Sequence, residues 1–211
     1  MKPFTHYILT RFNLGIYDPA GPYHKTVKTP NAWMKHRIKL FEKYTLPSIQ
    51  RQTCQNFIWL IAFDPDTPPE IVCKYDYMDN IQVCFEQPHL WLRTLEPETE
   101  WLITSRIDND DMYSPEFVQT IQSEFRAVEE VIDIDYYAFD VAQQRMYTSE
   151  RYRANSPFLS LVERWELNPM TALGRPHTVM PDVYEARKLG VLATQIIHDR
   201  NVCNKINGRP V

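Results

Sequence analysis

The sequence predicts an α/β fold: a mixed sheet flanked by helices, parallel in its N-terminal half. Three observations carry this. Short apolar runs at Thr5–Arg11, Phe57–Phe63, Ile81–Phe85 and Trp101–Ile107 are separated by helical patterns, the order that β-α-β crossovers produce. The run Phe57-Ile-Trp-Leu-Ile-Ala-Phe63 is apolar on both faces, as a central parallel strand must be. Beyond residue 130 the pattern changes, because Val131–Val141 alternates and Arg145–Tyr147 can pair back on it through Ala142–Gln144 as an antiparallel hairpin.

The elements follow in order. Thr5–Arg11 is the first strand, with Arg11 at its exit. Asn13 to Asn31 holds Gly15, Pro19, Gly21, Pro22 and Pro30 without a sustained period, which predicts a long loop able to fold over a substrate. Trp33–Lys43 is helical, since Met34, Ile38 and Phe41 recur on one face, and Thr45-Leu-Pro47 restarts a second helix that runs to about Thr53. A short helix over Pro68–Tyr77 precedes the third strand, and Ser114-Pro115-Glu116 opens a helix running to about Glu129. Asn155–Glu163 reads as a loop entering a short amphipathic segment. Asp182–Lys188 reads as a helix with Gly190 as its C-cap, followed by a last strand at Val191–Ile197 and a polar, frayed tail from Lys205.

At 211 residues and 44% hydrophobic content the chain has one domain's worth of core. A net charge of -4, with no Lys and Arg run interleaved with aromatics, argues against nucleic acid as a partner. No apolar stretch is long enough for a transmembrane segment and the N-terminus lacks a signal segment, which predicts a cytoplasmic protein. Cys54, Cys73, Cys84 and Cys203 form no Cys-x-x-Cys pair, so they read as reduced thiols rather than a zinc site or a disulfide framework. With 5 Gly and no glycine-rich phosphate loop, any nucleotide has to be held another way.

The most informative stretch is Trp101-Leu-Ile-Thr-Ser-Arg-Ile-Asp-Asn-Asp-Asp111, an apolar strand that ends on carboxylates. Ligands of open α/β sheets lie outside the carboxyl ends of the strands, where Asp108, Asp110 and Asp111 stand. Three acids within four residues repel one another, and a hard cation, Mg2+ or Mn2+, is a common way to neutralise them. A solvated loop that merely precedes the next helix is the alternative.

Several further segments belong with this one: Tyr7-Ile-Leu-Thr-Arg-Phe-Asn13, Trp33-x-x-x-Arg37-x-x-Leu-Phe41, Tyr44-Thr-Leu-Pro-Ser-Ile49, Gln52-Thr-x-Gln-x-Phe-x-Trp-Leu-Ile61, Arg106-Ile-Asp-Asn-Asp-Asp111, Asn155-x-Pro-Phe-x-Ser-Leu161 and Ile197-His-x-x-Asn201. In this order they resemble the GT-A glycosyltransferases, and more closely a bacterial family of putative rhamnosyltransferases. The resemblance implies that Asp108 and Asp110, with a divalent cation, hold the diphosphate of a nucleotide-sugar donor, with His198 as a further metal ligand or a structural histidine. It implies that Asp64 bonds the nucleobase or ribose, or else is a turn aspartate ahead of Pro65. Arg11 and Arg106 are donors to phosphate or sugar, unless Arg106 only holds the aspartates. An inverting enzyme needs a carboxylate to take the proton of the acceptor hydroxyl. Asp182 and Glu163 are the candidates, against readings as a helix-end charge and a surface acid. The activity expected is transfer of a sugar, rhamnose by the family's label, to a glycan or other hydroxyl acceptor in surface polysaccharide synthesis. A non-catalytic sugar-binding or scaffold protein on the same frame, or a metal-dependent phosphotransfer enzyme or hydrolase, are the rivals.

Overall fold

A computed structural model of the chain describes residues 3–18, 27, 29–149, 156–166, 168–180, 183–201, 206 and 208–211. Asp182, Asn155, the middle of the Asn13–Asn31 loop and Lys205 lie outside the described residues. Among the described residues nine strands join in one sheet that runs through both halves of the chain.

The first half is as expected. β1 (Phe4–Arg11) lies between β2 (Ile58–Ala62) and β4 (Trp101–Arg106), with β3 (Ile81–Cys84) outside β2, all parallel. Alternation sends Ile8, Trp59, Ile61 and Ile103 to one face, where Met34, Phe41, Phe117 and Ile121 cover them. Tyr7, Leu9, Leu60 and Leu102 go to the other face, against Leu92 and Trp165. Leu92 belongs to α4 (Pro88–Leu92), a helix with no clear signal in the sequence.

The expected break between two helices at Thr45 is absent. α1 (Pro30–Leu40) passes through a π-helical turn at Phe41–Thr45 into α2 (Leu46–Gln50). Thr45 has helical dihedrals of -69° and -55° and caps nothing. Pro47 has no N–H for the carbonyl four residues back and its ring crowds that carbonyl, so the backbone widens there, with Leu46 N–H reaching Phe41 O. α3 (Pro69–Val72) is the short helix expected before β3, and it ends five residues before Tyr77.

The later expectations need more correction. β5 (Met112–Tyr113) precedes α5 (Phe117–Ser123), which stops six residues short of Glu129. Ser114 does not cap α5; its N–H donates to Leu192 O and its carbonyl accepts from Gln52 Nε2, because the chain is still leaving the sheet there. The hairpin of β6 (Glu130–Asp140) and β7 (Arg145–Thr148) forms as expected. The segment read as amphipathic is β8 (Ser160–Arg164), a strand antiparallel to both β4 and β6, with Leu161 and Val162 fully buried on opposite faces.

The expected helix over Asp182–Lys188 is overturned where it is described, since Glu185–Ile197 is one strand, β9, parallel to β6. Arg187 bonds Glu130 and Glu124, and Lys188 lies 3.0 Å from Asp135, so ion pairs between neighbouring elements favour the strand over local helix preference. Gly190 is a residue that the pairing skips, not a helix cap. The end of the tail is held as well, for Thr148 N–H donates to Arg209 O and Val211 N–H to Met146 O.

Glu163, read as a possible surface acid, is buried at 4% exposure on β8. Its two oxygens accept the N–H groups of Met170 (2.7 Å) and Thr171 (2.9 Å), pinning the segment after the strand, where Thr171 has φ +57°. Burial pushes its carboxyl up to about 7 from the ordinary 4.5, against the two N–H groups, which lower it. A group that binds its proton more tightly in the folded state contributes stability that is full below the unfolded value and is lost as the pH rises through the folded one. Relative to Glu163→Gln, the parent is therefore expected to lose on the order of 3 kcal/mol between pH 4.5 and 8. Urea unfolding of both proteins across that range checks it, and parallel stability curves would refute it.

Candidate functional site

β1, β2 and β4 end on the same edge of the sheet, and each delivers a polar residue there: Arg11, Asp64 and Arg106. The register pairs Leu9 with Arg106 and Arg11 with Ala62, and Ile107 N–H to Leu9 O extends the β1–β4 pairing one step before the chain turns. Asp111 N–H to Asp108 O, at 3.3 Å, closes that turn and sets its three acids in different surroundings.

Asp108 is half-exposed, with its Oδ1 3.8 Å from the Arg106 guanidinium. Asp110 is buried. One of its oxygens, Oδ2, meets both the Arg37 guanidinium and His198 Nε2, the latter at 2.9 Å. Burial alone would raise the Asp110 carboxyl, but the His198 hydrogen bond and the Arg37 charge outweigh it and hold the group below the usual carboxylate range. Asp111 is fully enclosed and accepts Ile196 N–H at 2.8 Å, and burial followed by the charges of Asp110 and Asp108 raises it well above that range. The three acids therefore divide into an open one, a neutralised one and a structural one.

Arg37 comes from α1 and also donates to Asn109 Oδ1 at 3.1 Å, while Asn109 Nδ2 donates to Phe12 O at 2.6 Å. The helix thus grips the acidic turn from its own side. His198 follows β9. Its Nδ1 accepts Arg200 N–H at 3.1 Å, which leaves Nε2 as the protonated nitrogen facing Asp110. His36, one residue before Arg37, sets its ring 5.3 Å from that of His198, and its Nε2 is buried with no partner. One ligand atom from each of His36, His198 and Asp199 lies within 4.8 Å of the others. Two imidazoles and a carboxylate, with Asp110 against one of the imidazoles, are a donor set for a divalent cation, which would take the place of the proton on His198 Nε2.

Arg106 is buried, and its backbone carbonyl accepts the Tyr113 hydroxyl at 2.6 Å. Burial lowers its proton affinity, Asp108 opposes that, and Arg11 adds to it. Asp64 accepts Gly15 N–H at 2.7 Å on Oδ2 and Asp66 N–H at 3.0 Å on Oδ1, and Asn13 Oδ1 accepts Asp64 N–H. It organises the turn in which Gly15 takes φ +74°. The sequence candidates Arg11, Asp64, Arg106, Asp108, Asp110 and His198 thus share one edge. Glu163 does not join them: it pairs with Leu102, four residues or about 13 Å down β4 from Arg106. Asp182 lies outside the described residues. Sequence reasoning assigned no role to His36, Arg37 or Asn109, although Arg37 falls in one of the segments that carry the resemblance.

Solved structures share this architecture. The chain aligns with S. aureus TarS residues 1–349 at TM-score 0.52 and 14% identity, covering 91% of this chain and 60% of that one. With the S. aureus TarS structure it gives TM-score 0.50 and 14% identity, covering 92% and 37%. The chain therefore spans less than two thirds of the length of these neighbours, and at such identity they bear on the fold alone. No curated protein matches in sequence. A family model matches residues 24–174, which include Arg37 and the whole acidic turn. The chain belongs to the family described as putative rhamnosyl transferase.

Proposed function

We propose that the protein is a metal-dependent, GT-A-like glycosyltransferase that moves a sugar, rhamnose by the family's description, from a nucleotide diphosphate donor to a hydroxyl of a glycan acceptor in surface polysaccharide synthesis. The observation that carries this is the acidic turn at the carboxyl edge, with Asp110 drawn against His198 and Arg37 and Asp108 left open. Asp108, Asp110 and His198 would hold the cation, with His36 and Asp199 within reach. When bound, the metal supplies Lewis-acid stabilisation of the charge that grows on the leaving diphosphate.

The chain's own groups do the rest. Asp64 with Gly15 shapes the floor for the nucleoside, and Arg106 and Arg11 offer planar, permanently charged donors to phosphate. Of the two carboxylates proposed for the acceptor proton, Glu163 is committed to Met170 and Thr171, so we assign the role to Asp182. Residues 1–111 then serve the donor and supply Asp108 and Asp110 to the metal, and 112–211 serve the acceptor and supply His198. A second reading, a non-catalytic sugar-binding protein on this frame, draws on the fact that Arg37 and His198 already neutralise Asp110. Among the described residues no helix is long and apolar enough to cross a membrane.

Three outcomes are expected. A nucleoside diphosphate with Mn2+ raises the melting temperature of the parent and not of Asp110→Ala, since a ligand of the folded state stabilises it by mass action; no shift with any diphosphate in a panel would overturn the donor site. Arg37→Ala, by leaving the buried Asp110 with His198 as its one partner, costs about 3 kcal/mol in urea unfolding, and Mn2+ restores part of that loss; equal Mn2+ effects on parent and variant would count against a cation at Asp110. Asp182→Asn leaves the nucleotide-dependent shift intact while lowering kcat at least a hundredfold, whereas retained turnover would remove Asp182 from the mechanism.

A further inference from the structure

β3 is the outermost strand of the parallel half, and among the described residues no strand pairs beyond it. The carbonyls of Asn80 and Cys84 accept Trp59 N–H (2.7 Å) and Phe63 N–H (2.9 Å) on the β2 side. By the alternation of a strand, the backbone groups of Ile81, Val83 and Phe85 then turn outward. Ile81 N–H folds back to Met78 O at 2.9 Å, which leaves both groups of Val83 and the Phe85 N–H without a partner among the described residues. Tyr77, 75% exposed, precedes the strand, and Phe85, 50% exposed, follows it. Unpaired backbone groups between two exposed aromatics are a template for another strand.

Charge decides what kind of strand fits. Residues 70–86 carry Glu70, Asp76, Asp79 and Glu86 against Lys74 alone, a balance of -3 within a chain of net charge -4. Lys74 is already paired with Glu42 at 3.0 Å. A second copy of this chain is a poor occupant, because a two-fold axis would run the two β3 strands antiparallel and bring Asp79 of one beside Glu86 of the other at both ends. The same acids favour a cationic strand. At the start of β3 a cleft of about 380 Å3 opens between the end of α2 and Met78–Asn80. Ile49, Phe57, Trp59, Met78 and Ile81 give it an apolar lining. The amides at its rim are engaged with one another, Asn80 Nδ2 donating to Gln55 Oε1 at 2.9 Å and Gln55 Nε2 to Gln52 O at 2.7 Å. The Asp79 carboxylate beside them, an acceptor only, is exposed and has no ion-pair partner among the described residues.

We propose that the β3 edge and the adjoining cleft form a docking site for an extended, cationic segment of a partner protein, which adds a strand outside β3. Val83 N–H and C=O and Phe85 N–H bond its backbone. A large apolar side chain of the segment, level with Ile81 and on the same face of the sheet, enters the cleft, and its lysines or arginines meet Asp79 and Glu86. In such an arrangement the main-chain hydrogen bonds give affinity, while the cleft and the acids select the segment. The site is independent of the nucleotide-sugar reading, since none of its residues belongs to the acidic turn or to the groups assigned to the metal, donor or acceptor.

The test uses a synthetic extended peptide that alternates lysine with valine and phenylalanine, and a second in which glutamate replaces each lysine, read by fluorescence anisotropy and amide hydrogen exchange. The parent is expected to bind the cationic peptide, with Val83 and Phe85 N–H becoming protected from exchange, and to bind the acidic peptide at least about tenfold more weakly. Asp79→Lys combined with Glu86→Lys should weaken the cationic peptide by about tenfold, whereas Glu166→Lys combined with Glu185→Lys, exposed acids elsewhere, should change it by less than about twofold. Val83→Pro, which removes one outward N–H at an edge where proline is tolerated, should weaken it about fivefold. If Val83→Pro melts below the parent, the acid reversals and the exchange of Val83 N–H decide. Failure of the parent to bind the cationic peptide, equal binding of the acidic one, or unchanged binding in the acid reversals would overturn the site. So would self-association of the parent that Val83→Pro abolishes, because the edge would then belong to a second copy.

Discussion

One carboxylate oxygen, Asp110 Oδ2, joins three parts of the chain that are far apart in sequence: α1 through Arg37, the exit of β4, and the end of β9 through His198. A buried carboxylate without partners costs several kcal/mol. The acidic turn therefore adopts its shape only when the helix and the last strand are both in place. Asp111 repeats the connection one residue later by accepting Ile196 N–H. The charges of the site are satisfied only in the finished fold.

The sheet distributes chemistry between its faces by alternation. On the α1 side of the edge lie imidazoles and the neutralised aspartate, groups suited to a cation. On the other side lie the guanidinium groups of Arg11 and Arg106, the latter with its Nε buried and unpartnered. Asp108 sits between them, half-exposed and within 3.8 Å of Arg106. The proposed metal-bound diphosphate would need both kinds of partner, and one edge carries them.

How much of this was legible in the sequence depends on whether the signal was local. β1, β2 and β4 were, because uninterrupted apolar runs ending on polar residues mark two-sided strands and their exits. The hairpin of β6 and β7 was legible from alternation across a short polar turn. β8 was not, since Phe158-Leu-Ser-Leu-Val162 is too brief to separate strand from helix, and its place between β4 and β6 is decided by what covers it. β9 was misread for a different reason: the charges of Arg187 and Lys188 resemble a helix C-terminus until Glu130, Glu124 and Asp135 come beside them. At the site, the acids were visible as a cluster and His198 as a residue at a strand exit, whereas His36 and Arg37 looked like the polar side of a helix. Their meeting with Asp110 is a tertiary fact.

The pairing of β9 with β6 skips Gly190 and then Leu192, so β9 advances four residues, from Leu189 to Ala193, while β6 advances two, from Ile134 to Tyr136. A shift of register by one residue turns every side chain beyond it to the other face. Two extra residues cancel, and the strand resumes in phase. The pair works as a spacer that lengthens β9 without rotating it, so Ile196 still meets Asp111 and His198 still meets Asp110. Natural variation in the length of this strand should accordingly come in steps of two residues, because a step of one would turn His198 away from the acids.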